Sequence, residues 1–337
     1  MHVLFAIILL ISCGKQSEQE AYQFFIRGNE QLLFQNYSQA IYFYSEAIKK
    51  KPEFPEALTN RGLAYIEEGK TDKALEDLDK SLQINNKLGS TYQVRGQLYT
   101  ALNDFNKART DLEQAVKIVP DSSTAWALLG NAQYMTGQED LSFHSFTKAQ
   151  ELKPGNYLTY ALRGWVYVLQ KKYELARKDF EQSLAQRPGE ASTINNLSMV
   201  LTQLGHPDLG LEKANDAVKR THGKLLAYAV NNRAYALLGL NRLPEAIEEI
   251  ERSLRLDDQN AWAYRNRAIY YLKTQQANKA LEDLQHAEQL DASVEDLYFQ
   301  LGNAYKALGK DPQSCVAWKK GASLGEAHAK VAALGCP

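Results

Sequence analysis

Residues 55–88 read PEALTNRGLAYIEEGKTDKALEDLDKSLQINNKL. Three small side chains, Gly62, Ala74 and Ser81, stand at positions 8, 20 and 27 of this stretch. A shift of 34 residues brings them back as Gly96, Ala108 and Ala115. At that period, repeats begin at residues 21, 55, 89, 123, 157 and 191, and after a two-residue insertion at 227, 261 and 295. Position 8 is glycine in six repeats (Gly28, Gly62, Gly96, Gly130, Gly164, Gly302) and Ser198, Ala234 or Ala268 in the others. Positions 20 and 27 are Gly, Ala or Ser in every repeat. Internal repetition this regular points to an array of stacked units rather than to ordinary globular domains.

Large residues fill complementary places. Position 4 is mostly aromatic (Phe24, Tyr92, Trp126, Tyr160, Tyr264, Tyr298), and position 24 holds Tyr44, Leu78, Leu112, Phe146, Phe180 and Trp318 among others. Pro52, Pro120, Pro154 and Pro188 stand at position 32, where proline stops a helix. No alternating β-branched runs occur, so the composition reads as all-helical. Position for position the chain resembles the tetratricopeptide repeat. The resemblance implies helix A over positions 1–14 and helix B over 15–29, an all-α, right-handed α-solenoid of nine helix-turn-helix repeats. The expected repeats are 21–54, 55–88, 89–122, 123–156, 157–190, 191–226, 227–260, 261–294 and 295–328, followed by a cap over 329–337. Repeats of this kind are stable only through their neighbours, so an end needs a cover.

The start of the chain differs. Val3 to Ile11 is an unbroken apolar run, far short of the roughly 20 residues that span a bilayer. Its only positive flank is the amino terminus and His2. Leu10-Ile11-Ser12-Cys13 follows, then polar Gly14 to Glu20. This is similar to a bacterial lipobox after a signal peptide over 1–12, with Cys13 lipidated and 13–20 a polar tether. The alternative is a buried N-terminal helix with a chance cysteine. The lipobox implies a bacterial cell-envelope protein, lipid-anchored, at the outer membrane. Cys315, Trp318 and Lys319-Lys320 with a cysteine near the end resemble the final repeat of tetratricopeptide lipoproteins from the Bacteroidetes.

Position 7 is arginine in six repeats. In five of them position 23 is acidic: Arg61 with Asp77, Arg95 with Asp111, Arg163 with Asp179, Arg233 with Glu249, and Arg267 with Asp283. The sixth sets Arg27 against Phe43, and the repeats with Leu129, Leu197 and Leu301 at position 7 have no acid there. The spacing predicts structural ion pairs between helices A and B, the alternative being solvated charges that merely co-occur. Cys315 and Cys336 are an even pair in an oxidising compartment, and a turn at Gly325 brings them level. They read as a disulfide or as two buried free thiols. Repeat 6 lacks its proline stop and precedes the insertion, which predicts a loosened junction over 215–230.

No catalytic apparatus stands out. There is no Gly-x-Ser-x-Gly elbow and no phosphate-binding glycine loop, and six histidines are scattered without metal-ligand spacing. The net charge of -1 argues against nucleic acid as a partner. No enzyme activity, cofactor or metal is expected. Binding is left, and the resemblance implies a concave groove lined by helix A positions 2, 5, 6, 9, 12 and 13. Those positions include Tyr134, Trp165, Tyr235 and Trp262, with Asn195, Asn196, Asn231, Asn232, Arg265 and Asn266. Asparagines at position 6 of repeats 6, 7 and 8 can form a ladder that grips an extended chain through its peptide groups. It resembles the ladder of eukaryotic O-GlcNAc transferase; otherwise asparagine is simply frequent there. The chaperone carboxylate clamp is not met, since Asn29 and Asn60 match but Phe25 and Ser90 replace its lysines. The expected function is a membrane-tethered scaffold binding an extended segment of another envelope protein. The alternatives are an accessory subunit of an envelope enzyme or secretion complex, and a glycan-binding surface lipoprotein.

Overall fold

A computed structural model describes the backbone from His2 to Pro337 and the side chains from residue 16 onward. The side chain of Cys13, the expected lipidation site, therefore lies outside what is described. These contain nineteen α-helices and no strand, divided between two compact units, Met1–Arg163 and Gly164–Pro337. The first holds α1 (His2–Leu33), α2 (Tyr37–Lys50), α3 (Pro55–Glu67), α4 (Thr71–Ile84), α5 (Gly89–Ala101), α6 (Phe105–Ile118), α7 (Ser123–Met135) and α8 (Glu139–Leu152). The boundary falls within α9 (Tyr157–Leu169). The second continues with α10 (Tyr173–Gln186), α11 (Ala191–Gln203), α12 (Pro207–Arg220), α13 (Gly223–Gly239), α14 (Leu243–Leu256) and α15 (Ala261–Lys273). It ends with α16 (Ala277–Leu290), α17 (Leu297–Ala307), α18 (Asp311–Ser323) and α19 (Ala327–Ala333). Odd-numbered helices up to α17 are the A helices of nine repeats, even-numbered ones the B helices, and α19 is the cap. None of the described helices is long and apolar enough to cross a membrane.

The turn from A to B is built alike each time. Position 15 adopts a left-handed φ in all nine repeats, from +56° at Asn241 to +83° at Gly205. The next N–H then reaches back to the carbonyl at position 11, as Lys70 N–H does to Tyr65 O at 2.8 Å. Such a turn satisfies carbonyls that the ending helix would leave without partners. Glycine accepts this φ freely at Gly69, whereas Lys171, at +58°, adopts it with a full side chain.

Close packing of A on B explains the small positions. A Cβ on Gly130 would sit 3.0 Å from the Phe146 ring, and one on Gly302 would collide with the Trp318 indole at 2.2 Å. Positions 8 and 24 thus face each other and share one volume. Where position 24 shrinks to Ala214, position 8 grows to Ser198, whose hydroxyl donates to Gly210 O at 2.8 Å. Tyr44, Phe146 and Phe180 are wholly buried in these interfaces, each contributing roughly 2–3 kcal/mol of transfer free energy.

Two segments depart from expectation. The stretch read as a tether is helical across residues 16–20 and docks on the end of α2. Ser17 Oγ donates to Lys50 O at 3.0 Å, and Lys51 Nζ pairs with Glu18 at 3.0 Å. The polar side chains find partners at the carboxyl end of a neighbouring helix, so chain that looked free of structure is held. The junction of repeats 6 and 7 is likewise not loosened. Only Thr221 and His222 separate α12 from α13, whose seventeen residues include an extra N-terminal turn. The inserted residues are absorbed as helix, and Thr221 is buried with its hydroxyl donating to Ala217 O at 2.9 Å.

Candidate functional site

The arginines of position 7 come first because they hold the A helices in place. Arg61 reaches Asp77 through Nε and Nη2 at 2.7 Å each, and Arg95 reaches Asp111 at 2.7 and 2.8 Å. Arg267 reaches Asp283 with both bonds at 2.8 Å. These are planar, two-bonded pairs, the geometry for which a guanidinium is suited. Arg233 lies 2.5 Å from Glu249 Oε2, an ion pair by distance although its angle does not make a hydrogen bond. Arg163 and Asp179 fall in different units. A further arm was missed from the sequence. Nη1 of Arg61, Arg95 and Arg267 reaches Ser45, Asp79 and Glu251, each at position 25 of the preceding repeat. Each arginine therefore joins three helices. Searching position 25 as well as position 23 would have found it.

The asparagines behave differently from expectation. Asn232 Nδ2 donates to Asn195 Oδ1 at 2.9 Å, and Asn266 Nδ2 to Asn231 Oδ1 at 2.8 Å. Asn195, Asn231 and Asn266 are buried. Position 6 of one A helix thus meets position 5 of the preceding one. An amide enclosed between helices calls for partners; the neighbouring amide answers the Nδ2 of Asn266, while the Oδ1 of Asn266 has no hydrogen-bond partner. The ladder joins A helices together through Asn195, Asn231 and Asn266, while Asn196 and Asn232 stay half-buried. Asn196 is half-buried, and Ala161 at position 5 of the preceding repeat offers it no amide. Asn29 and Asn60 are spent in the same way: Asn60 Nδ2 and the Tyr44 hydroxyl both donate to Asn29 Oδ1 at 2.8 Å. Burial pushes the Tyr44 hydroxyl up to about 12.

What remains open is a cavity of about 750 Å³ within the second unit, mostly apolar. A-helix positions 9, 12 and 13 line it through Trp165, Val168, Leu169, Met199, Gln203 and Tyr235. Positions 2 and 5 of repeat 8 add Trp262 and Arg265. Tyr134 is half-buried on α7 in the first unit and belongs to no part of this cavity. The far wall is residues 291–295 of the loop before α17, with Tyr298, Lys320, Leu324 and Glu326. That loop exists because α17 starts at Leu297, two residues after the repeat begins, with Asp296 in the left-handed region. Glu295 is thereby freed to meet Lys171 at 3.6 Å, while Lys171 Nζ also donates to Leu324 O at 3.2 Å. The left-handed turn of repeat 5 is thus fastened to repeat 9. Burial, then the charge of Glu295, pushes the Tyr173 hydroxyl far above the usual phenol range.

The wall is braced by a cap from another helix. Glu326 accepts the N–H groups of Tyr298 at 3.1 Å and Phe299 at 2.7 Å, at the start of α17. Burial raises its pKa, and these two bonds partly oppose that rise. Gly321 makes room, since a Cβ there would stand 2.4 Å from Glu326 Oε2. Beyond it, the sulfurs of Cys315 and Cys336 meet, with Cα atoms 5.6 Å apart, within the span of a disulfide. Among the described residues no group of His, Cys, Asp or Glu is placed to hold a metal ion.

Comparison with known proteins agrees with this architecture. The family model described as TPR repeat matches residues 28–69 and 96–137, and models of the tetratricopeptide repeat match 55–88, 157–189 and 195–261. The chain is 24% identical over 284 residues to the Hsp70-Hsp90 organizing protein of Triticum aestivum, covering 84% of this chain and 43% of that one. It is 22% identical over 290 residues to the mitochondrial import receptor subunit TOM70 of Homo sapiens, covering 80% and 46%. It spans less than half the length of these relatives. Among solved structures, the APC/C hetero-tetramer Cut9-Hcn1 matches at a TM-score of 0.66 and 17% identity, over 80% of this chain and 52% of that one. With repeat matches across more than half its length and the helix pairs to go with them, this chain belongs to the tetratricopeptide repeat family.

Proposed function

We propose that this protein is a non-catalytic adaptor that binds a segment of another protein on the faces of its A helices, tethered to the bacterial outer membrane by lipid on Cys13. The observation that carries the binding half is the unfilled aromatic cavity of the second unit, where Trp165, Tyr235 and Trp262 face open space. Relatives named as an organizing protein, an import receptor subunit and an anaphase-promoting complex subunit support a role in bringing proteins together. Because Asn232 and Asn266 spend amide groups on neighbouring A helices, the reading assigns the main grip on a partner to the aromatic residues. The tethering half rests on Leu10-Ile11-Ser12-Cys13 alone.

Two experiments test the halves separately. A photocrosslinking residue at Trp165 or Trp262 should capture one protein in cells, and the same residue at Asn266 should not. Equal capture at all three sites, or none, would remove the cavity from the partner interface. Cys13→Ala should move the protein from the membrane to the soluble fraction, and retention after a high-salt wash would end the lipid-anchor reading.

A further inference from the structure

Arg265 is the group in this cavity that the fold leaves unanswered. It is 3% exposed, yet its Nε has no hydrogen-bond partner. The guanidinium is packed against aromatic faces, 4.7 Å from the Tyr235 ring centre and 5.3 Å from that of Trp262. Among the described residues no carboxylate lies at ion-pair distance from it. The nearby acids have other neighbours: Asp291 accepts from Ser293, Glu295 meets Lys171, Asp296 reaches His328 at 3.1 Å through Oδ2 while its Oδ1 has no hydrogen-bond partner, and Glu326 accepts two backbone N–H groups. The other two cations of the lining are engaged as well, Lys171 as above and Lys320 with Glu288 at 3.0 Å. A buried charge without a counter-charge is strongly unfavourable. An unsatisfied buried donor in a cavity calls for an explanation, and a bound group of opposite charge is one.

The surroundings say what that something is. The volume, about 750 Å³, falls within the roughly 300–1,000 Å³ of small-ligand sites. The Lys171 fastening to Glu295 and Leu324 closes one side, leaving room for a compact group. Aromatic walls provide the apolar contact, and Arg265 provides one fixed point for an anion.

We propose that the second unit holds a small-molecule site in which Arg265 binds the carboxylate of an aromatic or aliphatic organic acid, whose apolar body packs against Trp165, Tyr235 and Trp262. This goes beyond the adaptor reading: the acid binds at the same aromatic residues with no protein partner present, and a partner segment would compete with it there.

The test uses purified full-length protein with 3-phenylpropionate, indole-3-acetate and decanoate, and with the matching amides. At least one acid should bind saturably by calorimetry and raise Tm. Its amide should bind about tenfold or more weakly, the loss expected when a charged hydrogen bond is removed. Arg265→Met should raise the Tm of the free protein, since a buried unpaired charge is gone, and should abolish acid binding. Arg265→Lys should keep weaker binding. Equal binding of acid and amide overturns the proposal, and so does the absence of acid-specific binding across the panel. A fall in Tm for Arg265→Met without ligand makes Arg265 structural and overturns it too. Binding confined to a peptide ending in phenylalanine (acetyl-Gly-Gly-Phe), with no response to the free acids, assigns the site to a chain terminus and overturns it likewise. Capture at Trp165 in cells reports on the adaptor reading, so the two proposals fail separately.

Discussion

Arg267 and Arg265 lie two residues apart on α15 and meet opposite fates. Arg267 points between helices and receives Asp283 from α16 and Glu251 from α14. Arg265 points into the cavity and receives aromatic faces with no carboxylate. On a helix, residues two apart face different directions, so adjacent charges can belong to different parts of the molecule. The seam of position 7 is closed by the chain itself and serves the array. The cavity is left open at one point, and there the charge is available to a ligand.

The sharpest way to break this contrast is to open the seam. Asp283→Ala strands Arg267 and is expected to cost about 3 kcal/mol, the lower end for a buried pair, because Arg267 keeps some contact with water. Asp111→Ala should cost a similar amount at Arg95. Urea unfolding reads both, and a loss near zero would make the seam a solvated one. Repeat 9 sharpens the point, since Leu301 and Ala317 give it no bridge. Cys315 and Cys336, 21 residues apart, tie its B helix to the cap instead. Cys336→Ala should therefore cost about 3 kcal/mol in the chain-entropy model. Mass spectrometry of unreduced, alkylated protein isolated from its native source should find neither thiol free, and two alkylated cysteines would refute the bond.

Smaller effects separate the remaining polar contacts. Asn266→Ala should cost about 1–2 kcal/mol by leaving buried groups of Asn231 without a donor, with capture at Trp165 unchanged. Lost capture at full stability would return the ladder to the binding surface. The outermost arm of the seam should matter least: Glu251→Gln, at an exposed acid, should change stability by about 0.5 kcal/mol. A loss as large as that of Asp283→Ala would mean that the third helix is as firmly held as the second.

Much of this was legible without coordinates. The period and the small residues at positions 8, 20 and 27 recur in every repeat, and the pairing of Arg61 with Asp77 recurs in four others, so the chain by itself determined the repeats and the seam. Stacking of identical units converts sequence spacing directly into spatial contact, which is why a pattern along the chain predicts a contact between helices. Tertiary structure decided the exceptions. Asn231 and Asn266 are 35 residues apart, and whether such amides face a partner or each other depends on how closely two A helices approach. Lys171 and Leu324 are 153 residues apart, and their contact depends on how tightly the second unit winds, a sum of small rotations that no single repeat specifies. Arg265 reads in the sequence as one more groove residue. Only the positions of Glu295, Asp296 and Glu326, each drawn to a partner by the late start of α17 and the cap that follows, leave it without a counter-charge.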